Sequence, residues 1–178
     1  MNIYRKDELN SIPNSIACIG YFDGVHIGHQ ELIKRTIELS SKEGVVPFII
    51  TFYPDPESVI FNRNITELCS LERRFELFEE YGIKNCLLLD FDSNLMNLSS
   101  LDFIKQFILN SNIKKIVCGR DFRFGKNALG NVEVLKEYID VDVLDDVLYE
   151  DIKVSSSYIR ELINTSNVEL AYKLLGHE

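Results

Sequence analysis

Two histidines three positions apart are the residues of this chain whose types and spacing most clearly suggest chemistry. His26 and His29 lie in the segment GYFDGVHIGH at positions 20–29, directly after the apolar run at 16–19. Gly24 and Gly28 lack side chains, so the backbone of this turn can approach a ligand closely. A buried strand that opens into such a turn, and then into a helix, is typical of a phosphate-binding site.

The chemistry that this turn favours follows from its donors. A helix that begins near His29 points free N–H groups and its positive dipole end at whatever occupies the turn. Two neutral imidazoles can add hydrogen bonds to phosphate oxygens. This combination suits transfer of a nucleotidyl group with pyrophosphate as leaving group. A zinc site is disfavoured, because the only third histidine is His177 and the sequence has no C-x-x-C pair.

Three further segments carry candidate site residues. The loop GRDFRFGK at 119–126 combines basic groups that could neutralise phosphate with phenylalanines that could face a ring system. The segment KVSSSYIR at 153–160 offers three serine hydroxyls, helix N–H groups and Arg160 for a triphosphate. Each also has a purely structural interpretation, the first as a loop with solvated charges and the second as a helix N-cap. The segment TFYPDP at 51–56 predicts a rigid rim.

The elements that must position these segments alternate along the chain. Short runs rich in Val, Ile and Leu predict core strands at 16–20, 45–52, 86–89 and 116–119, with a fifth at 141–147. Apolar stripes at helical spacing predict helices at 29–42, 71–81 and 101–109. This pattern predicts an α/β fold with a doubly wound, mostly parallel sheet. Because ligands bind beyond the carboxyl ends of such strands, the four segments are expected to share one site.

Composition limits the class of protein. The chain has 178 residues, 46% of them hydrophobic and 26% charged, which is typical of one globular domain. A formal charge of −9 disfavours nucleic acid or an anionic membrane as partner. No apolar run approaches the length of a membrane span. The four cysteines are widely spaced, which favours buried thiols in a reducing compartment and predicts a cytoplasmic protein.

The four segments together resemble the adenylyltransferase module of bacterial bifunctional FAD synthetases, within the nucleotidyltransferase superfamily. The motifs are G-x-F-D-G-V-H-x-G-H, T-F-x-P-x-P, G-x-D-F-R-F-G and S-S-x-x-I-R, and the likeness runs from about position 16 to 176. It implies a nucleotidyltransferase (Rossmann-like) fold and the reaction of ATP with FMN to give FAD and pyrophosphate, with Mg²⁺. The patterns identify no metal ligands.

The resemblance also implies roles for residues at matching positions. Catalytic contacts to the ATP phosphates are expected from His26, His29 and Arg160. The residues expected to bind ATP are Gly20, Tyr21, Phe22, Asp23, Gly28, Ser155, Ser156 and Ser157. The residues expected to border the flavin are Phe52, Pro54, Pro56, Asp121, Phe122 and Phe124.

The chain departs from the family pattern at three places. Asp55 stands where the family usually has His, and Ser157-Tyr158 stand where it commonly has Thr-Arg. The run at 127–129 lacks a common Arg. Losing cations and adding a carboxylate is expected to alter ATP or FMN binding. Residues 1–178 are expected to form a single adenylyltransferase domain without the riboflavin kinase domain, either as a stand-alone enzyme or as an excised module. A separate riboflavin kinase is one candidate partner.

Two alternatives stay open at the level of sequence. The same fold could adenylylate another phosphorylated acceptor, although the D-F-R-F-G segment favours flavin. The altered positions 55, 157 and 158 are instead compatible with a non-catalytic paralogue that binds flavin or nucleotide. The intact His26, His29 and Arg160 favour an enzyme.

Overall fold

A parallel six-stranded sheet forms the centre of the computed structural model, which describes residues 1–177. The strands are β1 (Asn2–Tyr4), β2 (Ser15–Ile19), β3 (Val46–Tyr53), β4 (Asn85–Asp90), β5 (Ile113–Gly119) and β6 (Asp140–Leu144). Their order is β1-β4-β3-β2-β5-β6, and each neighbouring pair is parallel. The chain extends the sheet from β2 first in one direction and later in the other. The topological switch point therefore lies between β2 and β5.

The strands confirm most of the pattern in the sequence. All five predicted strands are present with ends shifted by a few residues, and every residue of β2 is buried, as expected for a strand covered on both faces. Cys18, Cys86 and Cys118 are buried free thiols. The edge strand β1 was not predicted, because three residues carry too little periodicity to recognise.

Helices cover both faces of the sheet, which confirms the doubly wound α/β class. They are α1 (Ile27–Glu43), α2 (Pro56–Phe61), α3 (Leu71–Glu80), α4 (Ser93–Met96), α5 (Ser100–Phe103), α6 (Val132–Lys136), α7 (Ser156–Asn164) and α8 (Val168–Leu175). Ile33 of α1 and Phe78 of α3 belong to the core on one face, whereas Phe103 of α5 belongs to the core on the other. The helix predicted at 101–109 continues after α5 as a π-helical segment, Ile104–Leu109.

A smaller third core lies at the C-terminal end of the described chain. The antiparallel hairpin β7 (Leu148–Tyr149) and β8 (Ile152–Lys153) leads into α7 and α8, whose apolar faces pack on each other through Ile159 and Leu174. The hairpin and α8 were not predicted, because the hairpin strands have two residues each and the region is rich in turn residues. None of the described helices combines the length and the apolar character needed to cross a bilayer.

Candidate active site

A cavity of about 410 Å³ opens at the switch point, beyond the carboxyl ends of β2 and β5. Residues from all four segments line it, and the sequence-predicted residues among them are Gly20, Tyr21, Phe22, Asp23, His26, Gly28, His29, Pro56, Asp121, Phe122, Ser155, Ser156, Ser157 and Arg160. Three of these segments follow β2, β3 and β5, whose carboxyl ends lie at the same edge of the doubly wound sheet, and the fourth follows the β7–β8 hairpin. Their roles in binding and catalysis stay predictions.

His26 caps the N-terminus of α1, and this fixes its hydrogen-bonding state. Its Nδ1 accepts the backbone N–H of His29 over 3.4 Å, so the ring proton of neutral His26 lies on Nε2. The rings of the two histidines stack with centroids 3.6 Å apart. Gly28 makes this packing possible, because a Cβ at that position would lie 3.2 Å from the His26 ring. The H-x-G-H spacing therefore encodes a capped helix with a stacked histidine pair.

Both histidines are held in their neutral form. Burial lowers the pKa of His26 to about 4, and the nearby Lys153 acts in the same direction. Burial also lowers the pKa of His29 well below its usual value, reinforced by His26 and by Arg74. Nδ1 of His29 is buried with no hydrogen-bond partner among the described residues. The pair is thus suited to donate hydrogen bonds rather than to carry full charge.

A run of left-handed backbone joins β2 to this pair. Phe22, Gly24 and Val25 all have positive φ, and Gly24 at φ +72° packs so closely that a Cβ would lie 2.8 Å from Leu68. The Phe22 side chain is fully buried, and its ring meets that of His29 edge-on at 5.1 Å. The turn therefore supports the histidine pair through the contact between Phe22 and His29.

The segment at 153–160 (the serine segment) contacts the turn at 20–29 (the histidine turn), and both line the cavity. Ser155 caps α7 by accepting the N–H of Tyr158, and Ser156 Oγ donates to the Asp23 carbonyl over 2.9 Å. Nη1 of Arg160 lies 2.6 Å from Oδ2 of Asp23, which is 2% exposed. The hydroxyls, the Arg160 guanidinium and the free N–H groups of α7 form a group of hydrogen-bond donors that could bind an anion at the cavity.

Asp23 itself connects three parts of the fold. Its Oδ1 accepts the backbone N–H of Leu68 over 2.8 Å, while Oδ2 accepts from Arg160. Burial raises the pKa of the Asp23 carboxyl, and the Leu68 bond and Arg160 oppose that rise. Asp23 thus joins the histidine turn to the segment before α3 and to α7.

The predicted flavin border is only partly at the cavity. Phe122, Asp121 and Pro56 line it, whereas Phe52, Pro54 and Phe124 do not. The side chains of Phe52 and Phe124 belong to the sheet core, with Phe124 centred 5.4 Å from Phe103. The pleat of β3 turns Phe52 into the core, and the Phe124–Gly130 bridge does the same for Phe124. The expectation that these two rings border the flavin stays a prediction.

Asp55 lines the cavity and also has a structural task. Its side chain accepts the N–H of Ser58 over 2.9 Å and so caps α2, and the residue is 5% exposed. Because Glu57 also lines this wall, the side of the cavity next to β3 is acidic. Asp55 therefore begins a helix and also contributes to the charge that a ligand meets.

Several residues at the site were not predicted from the sequence. Lys153, on β8, contacts Asp121 and lies 2.9 Å from Asp146. It therefore joins the hairpin to the loop at 119–126, which we call the basic-aromatic loop. Arg74 of α3 lies fully buried beneath Tyr21. The one sequence signal for Arg74 is its place on the apolar stripe of α3, between Leu71 and Phe78.

The described residues include no group of three or more His, Cys, Asp or Glu side chains arranged to hold a metal ion. Two carboxylates near the cavity, Asp121 and Asp146, are already paired with Lys153. A divalent cation at this site would therefore depend on oxygen ligands of a bound substrate, as Mg²⁺ commonly does with phosphates.

The chain is similar in sequence to proteins of known families. Residues 9–158 match the family model for FAD synthetase. A bifunctional riboflavin kinase/FMN adenylyltransferase of Buchnera aphidicola is 35% identical over 98% of this chain and 58% of its own length. The chain spans between 53% and 58% of the length of four such relatives.

Solved structures share the fold. A Streptococcus pneumoniae protein called a macrolide-efflux protein superposes with a TM-score of 0.88 at 29% identity, covering 99% of this chain and 60% of that one. A pantoate-beta-alanine ligase from Francisella tularensis superposes with a TM-score of 0.64 at 14% identity, covering 99% and 78% of the two chains. The second likeness concerns the fold alone.

Proposed function

The chain belongs to the FAD synthetase family, and we propose that it transfers the adenylyl group of ATP to FMN, giving FAD and pyrophosphate. The observation that carries this proposal is the stacked, neutral pair His26 and His29 at the start of α1, which lines the switch-point cavity together with the serine segment. This arrangement supplies donors where a nucleotide's phosphates would lie, and no side chain of the cavity is needed as a nucleophile.

In this mechanism the phosphate of FMN attacks the α-phosphorus of ATP in line. One P–O bond forms between the FMN phosphate oxygen and the α-phosphorus, and the bond from the α-phosphorus to the bridging oxygen breaks. Pyrophosphate leaves with that electron pair. The FMN phosphate is already anionic at neutral pH, so the protein supplies positioning and charge stabilisation.

His26 and His29 stabilise the charge that develops during this step. The Nε2–H of His26 is available to a phosphate oxygen because its Nδ1 is occupied by the helix cap. The first N–H groups of α1 point the same way and add the helix dipole. Because both rings are neutral in the resting state, their hydrogen bonds strengthen as charge builds on the α-phosphate and leaving group.

The serine segment holds the β- and γ-phosphates. Ser155, Ser156 and Ser157 supply hydroxyls, α7 supplies backbone N–H groups, and Arg160 supplies the cation. Arg160 would exchange part of its interaction with Asp23 for a phosphate oxygen, or share its guanidinium between both. Gly20, Tyr21 and Phe22 form the adjoining floor of the nucleotide pocket.

The acceptor lies between the proline rim and the basic-aromatic loop. Phe122 offers an aromatic face, Asp121 a hydrogen-bond acceptor and Pro56 an apolar edge. Phe52 and Phe124 support this wall from the core. Mg²⁺ enters as part of the substrate Mg·ATP, where it neutralises phosphate charge.

The reaction is proposed to take place in the cytoplasm, in keeping with three buried free thiols in the sheet. FMN would come from a phosphoryl transfer to riboflavin by another catalytic unit. Residues 1–178 by themselves are proposed to carry out adenylyl transfer and not that phosphorylation.

The test is to incubate the purified protein with ATP, Mg²⁺ and FMN and to follow FAD by chromatography and pyrophosphate in parallel. Equimolar FAD and pyrophosphate are expected. Riboflavin in place of FMN should give no product, because it lacks the attacking phosphate. Tight binding of FMN or ATP without FAD would instead favour a non-catalytic binding protein, and adenylylation of a different phosphate would change the acceptor.

A further inference from the structure

Arg74 is a fully buried cation beneath the candidate active site. It lies on the inner face of α3 with 0% of its surface exposed, and it is the largest fully buried side chain in the described residues. Residues 1–177 contain no carboxylate within ion-pair distance of its guanidinium, and Nε and Nη2 have no hydrogen-bond partner there. Burying a charge with unsatisfied donors is costly, so a purely apolar residue would serve packing better.

The hydrogen bonds of Arg74 connect the carboxyl ends of the central strands β2 and β3. Nη1 donates to the Tyr21 carbonyl over 3.1 Å and lies 3.4 Å from the Phe52 carbonyl. Thr51 Oγ1, on β3, donates to the same Tyr21 carbonyl over 2.9 Å. The guanidinium also lies over the Tyr21 ring, 4.2 Å from its centroid. Arg74 thus fixes the first residues after β2 relative to the end of β3.

Tyr21 and Phe22 link the contacts of Arg74 to His29. Tyr21 precedes Phe22, whose left-handed backbone turns its ring under the histidine pair. The Phe22 ring meets His29 edge-on at 5.1 Å and meets Phe78, one turn after Arg74 in α3, at 5.5 Å. Arg74 and Phe78 of α3 therefore fix the position of Phe22, and the Phe22 ring in turn fixes the orientation of the His29 ring.

We propose that Arg74 is a positioning residue for the adenylyl transfer, which acts on His29 through Tyr21 and Phe22. This inference rests on the proposed function, in which His29 stabilises the transition state. Arg74 does not line the cavity. Loss of Arg74 should therefore lower the rate of the chemical step more than it weakens the binding of either substrate.

The charge of Arg74 adds a second, separable effect. It is one of two ionisable groups that act with burial to lower the pKa of His29, the other being His26, and Lys153 acts on His26 in turn. Removing the charge should let His29 bind a proton at higher pH. Replacing the guanidinium by an ammonium should keep the charge and lose the two-carbonyl geometry.

The experiment compares Arg74→Met, Arg74→Lys and Arg73→Met. Arg73 is the neighbouring arginine on α3, which is half-buried and paired with Glu76 and Glu80, and it serves as the matched control. We expect Arg74→Met to lower kcat by about 10- to 100-fold while the KM values for ATP and FMN change by less than about threefold. Arg73→Met should leave all three constants unchanged.

Two readouts separate positioning from loss of folding. The kcat of each variant is normalised to the folded fraction from circular dichroism and urea unfolding. The ring resonances of the histidines are then titrated by NMR, with His29 assigned through His29→Gln. In Arg74→Met, His29 should titrate at higher pH than in the unmodified protein, and in Arg74→Lys it should not. If Arg74→Met does not fold, Arg74→Lys alone decides, through reduced kcat with unchanged KM values.

A normalised kcat equal to that of the unmodified protein in Arg74→Met, or a loss confined to KM, would overturn the inference. So would a His29 titration that responds equally to Arg73→Met. The NMR titration needs no turnover, so it tests the link between Arg74 and His29 even if the unmodified protein forms no FAD. Failure of the proposed function and failure of this inference are thereby distinguished.

Discussion

The Asp23 carboxylate lies 2.6 Å from Nη1 of Arg160, so two residues 137 positions apart form a largely buried ion pair at the edge of the cavity. The same carboxylate accepts the N–H of Leu68. Any phosphate that binds Arg160 must compete with Asp23 or share the guanidinium with it. This pair sets the charge balance of the proposed triphosphate site.

We predict that Arg160→Met mainly weakens the binding of ATP. The KM for ATP should rise about 10- to 100-fold, which is the effect of losing one or two charged hydrogen bonds, while the KM for FMN stays nearly constant. Steady-state kinetics with each substrate varied would measure this. Because the single variant leaves Asp23 buried and unpaired, the double variant Asp23→Asn with Arg160→Met is the control for stability. An unchanged KM for ATP in both would remove the proposed role of Arg160.

His29 is predicted to act in the transition state. His29→Ala should lower kcat by about two to three orders of magnitude with smaller changes in KM, as for other donors that stabilise developing charge. His29→Phe keeps an aromatic ring against Phe22 but no donor, and should be as slow as His29→Ala if hydrogen bonding matters. A kcat near the unmodified value in His29→Phe would show that only ring packing is needed.

The neutral histidines predict a pH dependence of stability. His26 has a pKa of about 4 in the folded protein against 6.5 as its ordinary value. Between these values the unfolded chain binds more protons, so the free energy of unfolding should rise with pH across this window. Above about pH 6.5 His26 is neutral in both the folded and the unfolded state and costs no stability. As the pH falls from there towards about 4, the free energy of unfolding should decrease, by up to about 1.4 kcal/mol per pH unit for one histidine.

Urea unfolding at several pH values would measure that slope. In His26→Gln the slope between about pH 5 and 6.5 should be smaller, because one of the groups responsible is gone. An equal slope in the variant and the unmodified protein would mean that His26 is not kept neutral by the fold. Working above about pH 5 limits the contribution of the carboxylates.

Two glycines with similar backbone angles allow a matched test of packing at the histidine turn. Gly24 has φ +72° and Gly44, at the end of α1, has φ +66°. A Cβ at Gly44 meets nothing within 4 Å, whereas at Gly24 it would lie 2.8 Å from Leu68. Gly44→Ala should cost about 1 kcal/mol of unfolding free energy from backbone strain and leave kcat unchanged.

Gly24→Ala should cost clearly more than Gly44→Ala and should lower kcat, because Leu68 and the histidine turn must move apart. Denaturant midpoints and initial rates measured side by side would test this. Equal costs for the two variants would mean that the turn is not tightly packed against Leu68.

Asp55→Asn should strengthen FMN binding. The amide oxygen can still cap α2 by accepting from Ser58, while the negative charge that faces an anionic substrate is removed. We expect the KM for FMN to fall by about threefold or more, with unfolding free energy nearly unchanged. The comparison with Glu57→Gln on the same wall shows whether the effect belongs to position 55. An increase in the KM for FMN would indicate that Asp55 binds the acceptor directly.

The segments of the site could be predicted from sequence because their signals are local. The H-x-G-H spacing encodes an N-cap, a stacked ring pair and a glycine beneath it, all within one turn of helix. Ser155 likewise begins α7 by a bond within three residues. Apolar runs and helical stripes gave the five longer strands of the sheet and the doubly wound class, since periodicity depends on neighbours in the chain.

Only the tertiary structure decided which side chains face the cavity and which pairs meet. Phe52 and Phe124 look like ligand contacts in the sequence, but the pleat of β3 and the packing against Phe103 turn them into the core. The Arg160–Asp23 pair and the buried Arg74 depend on contacts between residues more than 50 positions apart. Such contacts follow from strand order and helix packing, which no local pattern of residue types specifies.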